Sequence, residues 1–255
     1  MSKKLAGTLF IRNGIEHDYC FVEAIKCLLE FCDHVFVVDA GSDDGTKDVL
    51  LKINPDKLTL IFRNDWEEVK GKEKLNFFTN IAIKKAEEEG YEYQINLQGD
   101  ELISEKSYAE IHKAISDGDE GYMCKRINLW SSPYMQLDVP LERMPCSTSI
   151  VRLTKTKYRS YDDAENVGVP LVNTYFEGGI RIYHMGFVRR REVMKSKIIN
   201  MQCNVFGMEH YDAKLDQAEI FNPDLWFHPQ NDLRPIDEPL PKLIQEWAKE
   251  RVVFN

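Results

Sequence analysis

The chain has 255 residues, 43% of them hydrophobic, and a formal net charge of −9. Its length and hydrophobic content can bury one sizeable core and exclude a disordered chain, while the negative balance weighs against a surface that tracks nucleic acid throughout, since phosphate contacts need Lys and Arg. Six cysteines, Cys20, Cys27, Cys32, Cys124, Cys146 and Cys203, form no CxxC pair and no zinc-type spacing, and no window reaches the about 20 apolar residues of a membrane span, so the expectation is buried thiols in a soluble, cytoplasmic protein without an anchor of its own.

In chain order, Leu5 to Ile11 read as a first strand and Tyr19 to Phe31 as an amphipathic helix, with Phe21, Ala24, Ile25, Leu28 and Leu29 at helical spacing. His34 to Asp39 is the second strand, Asp44 to Ile53 its helix and Leu58 to Phe62 the third strand. Leu75 to Glu89 form a long helix, and Tyr93 to Leu97 a fourth strand that ends on Gln98-Gly99-Asp100-Glu101. Repeated βα units of this length predict an α/β fold with a parallel, doubly wound sheet through about residue 120. Beyond Gly121 the pattern changes. Tyr122 to Leu129 and Thr148 to Leu153 read as strands, Pro133, Pro140 and Pro145 as loop breakers, Asn173 to His184 as a strand or two, and Glu192 to Val205 as a helix; the tail from Pro223 is rich in Pro, Trp and Asp. We therefore divide the chain into 1–120, a nucleotide-binding half, and 121–255, an acceptor-shaping half with a C-terminal extension.

The run from Phe36 to Thr46 carries the most information. An apolar strand ends there on Asp39 and passes into Ala40-Gly41-Ser42-Asp43-Asp44-Gly45-Thr46, a polar turn followed by a helix cap. A carboxylate at the C-terminal edge of a strand in an open α/β sheet faces the crevice where ligands bind, and can accept hydrogen bonds from a ribose or a base N–H. The run resembles the valine-aspartate-aspartate-glycine-serine-x-aspartate-glycine-threonine signature of family 2 glycosyltransferases of the GT-A fold, with Ala40 where that family has its second Asp.

The resemblance implies a Rossmann-like, mostly parallel central sheet flanked by helices, and a metal-dependent, inverting transfer of sugar from a nucleoside-diphosphate sugar to a hydroxyl. It places Asp100 at the metal carboxylate, in Gln98-Gly99-Asp100 where the family usually has Asp-x-Asp, with Glu101 as a helper. A divalent cation, Mn2+ or Mg2+, would stabilise the leaving diphosphate. His184, in His184-Met185-Gly186-Phe187-Val188-Arg189, falls on a late histidine-x-glycine-aromatic-valine-arginine segment of a related subgroup and by that likeness is the second metal ligand; a histidine bonded to backbone is the competing reading. By the same likeness Arg12, Asn13, Asp39, Ser42, Asp44, Lys74, Asn80, Gln98, Gly99 and Arg189 contact the donor, although Lys74 also reads as an ordinary solvent-facing helix residue.

A catalytic base must take the acceptor's proton. Asp163 and Glu165, in Tyr161-Asp162-Asp163-Ala164-Glu165, are both candidates. Trp130 and Tyr134, aromatics in a polar loop with Pro133, suit stacking on an acceptor sugar. The basic run Arg181, Arg189, Arg190, Arg191, Lys195 and Lys197 suits phosphate, which leaves open a saccharide, a glycolipid precursor or a hydroxymethylated base in DNA as the acceptor. The alternatives are a nucleotidyltransferase acting on sugar phosphates, a metal-dependent hydrolase and a non-catalytic sugar-binding module. The first would want a glycine-rich basic loop after the first strand, where Phe10 to Asp18 has one glycine and is acidic.

Overall fold

A computed structural model describes residues 4–53, 56–138, 147–169, 179–190, 193–194, 196–197, 200 and 233–250. The expected parallel core is present. Strands β1 (Leu5–Ile11), β2 (His34–Asp39), β3 (Leu58–Phe62) and β4 (Tyr93–Leu97) pair in parallel in the order β3-β2-β1-β4. The sheet continues through β8 (Ser149–Lys155), β6 (Gly121–Trp130), β7 (Ser132–Leu137) and β12 (Leu233–Pro235), with β11 (Arg181–Phe187) parallel to β6 and β5 (Glu101–Ile103) antiparallel to β11. Only β5, β7 and β8 run against the other strands of this sheet, so it is mostly parallel in direction. A separate two-stranded ribbon joins β9 (Ser160–Tyr161) to β10 (Asn166–Val167).

Alternation along the strands sorts the side chains onto two faces. Leu5, Leu9 and Ile11 of β1 join Val35 and Val37 under helix α1 (Phe21–Phe31), whose Ala24, Ile25 and Leu28 are fully buried. Ala6, Phe36 and Val38 face the other way, against Phe78, Ala82 and Ala86 of α3 (Glu73–Glu88). On that second face the next strand turns polar inside the protein: Thr8 Oγ1 donates to Gln94 Oε1 at 2.8 Å, and Gln94 Nε2 to Thr154 Oγ1 at 2.8 Å. Such satisfied polar groups tolerate burial, and this strip leads directly toward the carboxylates at the end of β4.

Several expectations shift. Helix α2 is short, Thr46–Leu50, because Gly45 at φ 93 precedes it and Asp44 Oδ1 accepts the Thr46 N–H at 2.9 Å as its cap. Pro133 lies within strand β7 rather than a loop; it sits where the β6–β7 register slips, a position that needs no ladder donor. The described elements also include helices α4 (Tyr108–Asp117) and α5 (Lys242–Glu250) and two single-turn 3-10 helices, Trp66–Glu68 and Glu105–Ser107. Cys20, Cys27, Cys32 and Cys124 are buried free thiols, while Cys146 and Cys203 lie outside the described residues. The same holds for 173–178, most of the helix expected over 192–205, and the tail from Pro223 to residue 232. Among the described residues no helix is long and apolar enough to cross a membrane.

Candidate functional site

The C-terminal ends of the parallel strands lie level, with Ile11 opposite Asp39 and Asp39 opposite Phe62, so the loops after them share one edge. There Asp39, 2% exposed, uses Oδ1 to accept the N–H groups of Gly41 and Ser42 at 2.9 and 2.8 Å. Its Oδ2 is buried without a hydrogen-bond partner among the described residues. An unpaired buried carboxylate oxygen is costly, and this one lies at the C-terminal strand edge where open α/β sheets bind ligands.

The other residues of that corner bind one another. Asn13 N–H donates to Ser42 Oγ at 2.9 Å, Asn13 Nδ2 to Asp43 Oδ1 at 2.8 Å, Ile15 N–H to Thr46 Oγ1 at 3.2 Å and Glu16 N–H to Asp44 Oδ2 at 2.7 Å. Burial alone would raise the Asp44 carboxyl, but the N–H and hydroxyl groups pointed at it outweigh that and lower it. Asn13, Ser42 and Asp44 thus stitch the two loops together. Within the turn after β1, His17, Asp18 and Tyr19 give their backbone N–H groups to the carbonyls of Asn13, Ile15 and Gly14.

Asp100, 5% exposed, lies beyond β4 in a cationic nest. Arg189 Nη2 donates to its Oδ2 at 2.6 Å and Lys197 Nζ lies 3.4 Å from the same oxygen. Burial would raise this carboxyl; Lys197, then the guanidinium charges of Arg189 and Arg126, hold it well below the carboxylate range. His184 Nε2 is 3.9 Å from Asp100 Oδ2, while its Nδ1 is 3.0 Å from Asn128 Oδ1. Because Asn128 Nδ2 donates to Ser147 O at 3.5 Å, its Oδ1 is the atom offered to the ring, and His184 donates from Nδ1. Burial, then Arg126, pushes the His184 pKa well down, so the ring is neutral with its Nε2 lone pair toward Asp100. Gly186 is required beside it, since a Cβ there would overlap the imidazole.

Behind this pair, Glu101 is fully buried and turned away from Asp100: Arg152 Nη2 donates to its Oε1 at 2.8 Å, and Gln98 N–H to its Oε2 at 3.0 Å. It fixes the turn and offers no lone oxygen to a cation. Glu165 accepts Arg126 Nη1 at 2.5 Å on Oε1 and the Ser147 hydroxyl at 2.7 Å on Oε2. Burial opposes ionisation of Glu165, and the Ser147 hydrogen bond and Arg126 charge override it, so its pKa falls below the usual value. Asp163 is half-buried and accepts only the Glu165 N–H, at 3.2 Å on Oδ1, among the described residues. The residues on either side of it, Asp162 (φ 54) and Ala164 (φ 62), are both left-handed, a strained arrangement for residues with a Cβ.

The remaining expected residues are placed as follows. Lys74 is buried, with Nζ 5.0 Å from the Trp66 ring centre; the Arg12 guanidinium lies 4.8 Å from the same centre, so Trp66 carries two cations at the β1 and β3 ends. Asn80 faces the ribbon, donating to Ser160 O at 2.9 Å and accepting Ser160 N–H at 2.7 Å. With Lys72, which pairs with Asp162, and Asn76, which donates to Asp162 O at 2.8 Å, it forms one helical stripe gripping residues 160–162. Gly99 passes so close to Ile11 that a Cβ would meet its Cδ1 at 2.7 Å. Trp130 is 3% exposed and stacked on Phe187 at 4.0 Å, whereas Tyr134 is 54% exposed.

The basic run is largely paired internally. Arg181 meets Glu238, Arg190 holds Asp18 at 2.7 and 3.0 Å, and Arg189 is buried, donating to Asp100, His17 O and Gly186 O. Arg191 and Lys195 lie outside the described residues. Sequence reasoning missed Arg126, Asn128, Ser147 and Arg152. The signal available for three of them was a charged or amide residue beside apolar ones inside a strand, Arg126 and Asn128 around Ile127 in β6 and Arg152 between Val151 and Leu153 in β8.

No protein-family model matches the sequence, and no curated protein matches it. Many solved structures are similar to the chain, among them the two that follow. S. aureus TarS, residues 1–349, overlaps with a TM-score of 0.47 at 17% identity, over 88% of this chain and 72% of that one. A 4-diphosphocytidyl-2C-methyl-D-erythritol synthase from Anaerococcus prevotii overlaps with a TM-score of 0.40 at 11% identity, over 61% of this chain and 71% of that one. Overlap at this level leaves any reading of activity to rest on the geometry of the site.

Proposed function

We propose that this chain is a metal-dependent, inverting glycosyltransferase of the GT-A type, moving a sugar from a nucleoside diphosphate to a hydroxyl. The observation that carries the reading is the juxtaposition of Asp100, whose Oδ2 takes Arg189 and whose Oδ1 accepts no hydrogen bond among the described residues, with the neutral His184, Nε2 3.9 Å from that Oδ2, on the loop edge that also presents the orphaned Asp39 Oδ2. Asp39 would accept from the nucleoside. Asp100 and His184 would hold a divalent cation, which when bound neutralises charge on the leaving diphosphate. Among the described residues no three or more His, Cys, Asp or Glu side chains converge as an all-protein cation site. One carboxylate and one imidazole fit an ion that takes its other ligands from phosphate and water.

Asp163 is the better base of the two candidates, because both Glu165 oxygens are already bonded to Arg126 and Ser147. In the reaction Asp163 takes the acceptor hydroxyl's proton. The acceptor oxygen then bonds to the anomeric carbon from the face opposite the diphosphate, which leaves with the electron pair of the broken C–O bond. A saccharide acceptor is favoured over DNA, since the described members of the basic run are bonded within the protein. The nucleotidyltransferase reading is disfavoured for a related reason: in the turn after β1 the backbone N–H groups of Asn13 and of residues 15–19 are bonded within the protein rather than free to cradle a triphosphate.

The test is a screen of nucleoside-diphosphate sugars, with and without Mn2+, for thermal stabilisation and slow donor hydrolysis. At least one donor is expected to do both with the metal, and failure of all of them sinks the reading. A second expectation concerns Gly186→Ala. Displacing the His184 ring should weaken Mn2+ binding about tenfold or more, the usual effect of disturbing a ligand's support, as read by titration in the presence of nucleoside diphosphate. Unchanged affinity would remove His184 from the metal site.

A further inference from the structure

One buried guanidinium touches both parts of the site. Arg126, 4% exposed, donates from Nη1 to Glu165 at 2.5 Å and from Nη2 to Gln98 Oε1 at 3.3 Å, and its Nε lies 3.3 Å from Glu101 Oε1. Glu165 ends the strained loop that carries Asp163, whereas Gln98 and Glu101 flank Asp100. Two residues along the same face of β6, Asn128 orients His184. Arg152, fully buried, repeats the bridge from β8, donating to Glu101 at 2.8 Å and to Ala164 O at 2.9 Å. Two arginines and two glutamates thus form a continuous array, Glu165–Arg126–Glu101–Arg152, in which each carboxylate is shared or further hydrogen-bonded. A left-handed Ala164 persists only where its surroundings over-determine it, and this array does so.

We propose that Arg126 is a positioning residue that sets the distance between the Asp163 loop and the Asp100 edge, and so the alignment of acceptor with donor; this rests on the glycosyltransferase reading above. The planar fork matters more than its charge, because Glu165 and Gln98 are held by different arms of one rigid group. All three guanidinium nitrogens of Arg126 face protein oxygens, those of Glu165, Gln98 and Glu101.

The test uses the whole chain with Mn2+ and UDP or GDP as binding probes, followed by turnover of whichever donor the screen finds active. Arg126→Lys keeps the charge and loses the fork. It is expected to bind the nucleoside diphosphate within about twofold of wild type, with donor KM likewise unchanged, while kcat for transfer falls by about tenfold or more and the ratio of transfer to donor hydrolysis drops with it, as misplacement of reacting groups costs rate rather than affinity. Glu165→Gln, which retains the side chain's shape, is the second variant and should give the same split if Arg126→Lys proves too unstable to assay. Equal losses in binding and turnover, or a kcat within about twofold of wild type, would overturn the positioning role. Failure of the wild-type chain to bind any nucleoside diphosphate with Mn2+ is a separate result, and it overturns the glycosyltransferase reading along with this inference.

Discussion

Asp100→Asn is expected to abolish Mn2+-supported nucleoside-diphosphate binding and to lower transfer about a thousandfold, since metal stabilisation of a leaving group is worth several kcal/mol and about 1.4 kcal/mol is tenfold in rate. The same change strips a fully buried Arg189 side chain of its anionic partner. Breaking a buried pair in this way costs about 3–5 kcal/mol, so a melt must accompany the activity measurement. The pH dependence has a definite sign. Because its cationic neighbours outweigh burial, the Asp100 carboxyl is lower in the folded protein than its ordinary value of about 3.9. Its contribution to stability is therefore fully present above that value and is lost as pH falls through the folded value. The stability gap between wild type and Asp100→Asn should be widest near neutrality and narrow on acidification below about pH 4. Undiminished Mn2+-dependent binding in the variant would take Asp100 out of the metal site.

Asp163→Asn should lower kcat by about 10²–10⁴-fold, the usual range for loss of a general base, with nucleoside-diphosphate affinity unchanged. The reason is positional. Asp163 is held between two left-handed residues, on a loop gripped by Asn76 and Lys72 on one side and Arg152 on the other, yet its own Oδ2 is uncommitted among the described residues. Glu165, two residues on, spends both oxygens on Arg126 and Ser147. The two carboxylates are told apart by the pH–rate profile: its acid limb should vanish in Asp163→Asn and persist in Glu165→Gln. A kcat within about threefold of wild type in Asp163→Asn would return the base assignment to Glu165 or to another group.

The contrast between those two residues shows where sequence reasoning stops. Asp163 and Glu165 have the same charge and lie two positions apart, and no periodicity separates them. Their roles diverge because Arg126 arrives from β6 and Ser147 from the segment before β8, contacts 39 and 18 residues away. Trp130 is a similar case. A tryptophan beside Ser131, Ser132 and Pro133 reads as an exposed platform, yet Phe187 comes from β11 to cover it. Lys74 and Asn80 both sit on α3, but six residues of helical rotation send one to Trp66 and the other to the ribbon.

The sequence by itself determined the four strands of a parallel core and the helices between them, because strand and helix periods are local; their order β3-β2-β1-β4 came from the tertiary structure. The sequence also determined that Asp39 and Asp100 lie at strand ends, since a residue just past an apolar run has only that place to occupy. The tertiary structure decided which charged side chains are free and which are consumed. Arg189 is walled in behind Asp100, the donors of the turn after β1 go to the neighbouring loop and to the turn itself, and Glu101 and Glu165 are committed to arginines on β6 and β8. The physical reason is that a buried charge must find its partner wherever the fold brings one within about 3 Å, and such pairings follow from the packing of distant strands rather than from spacing along the chain.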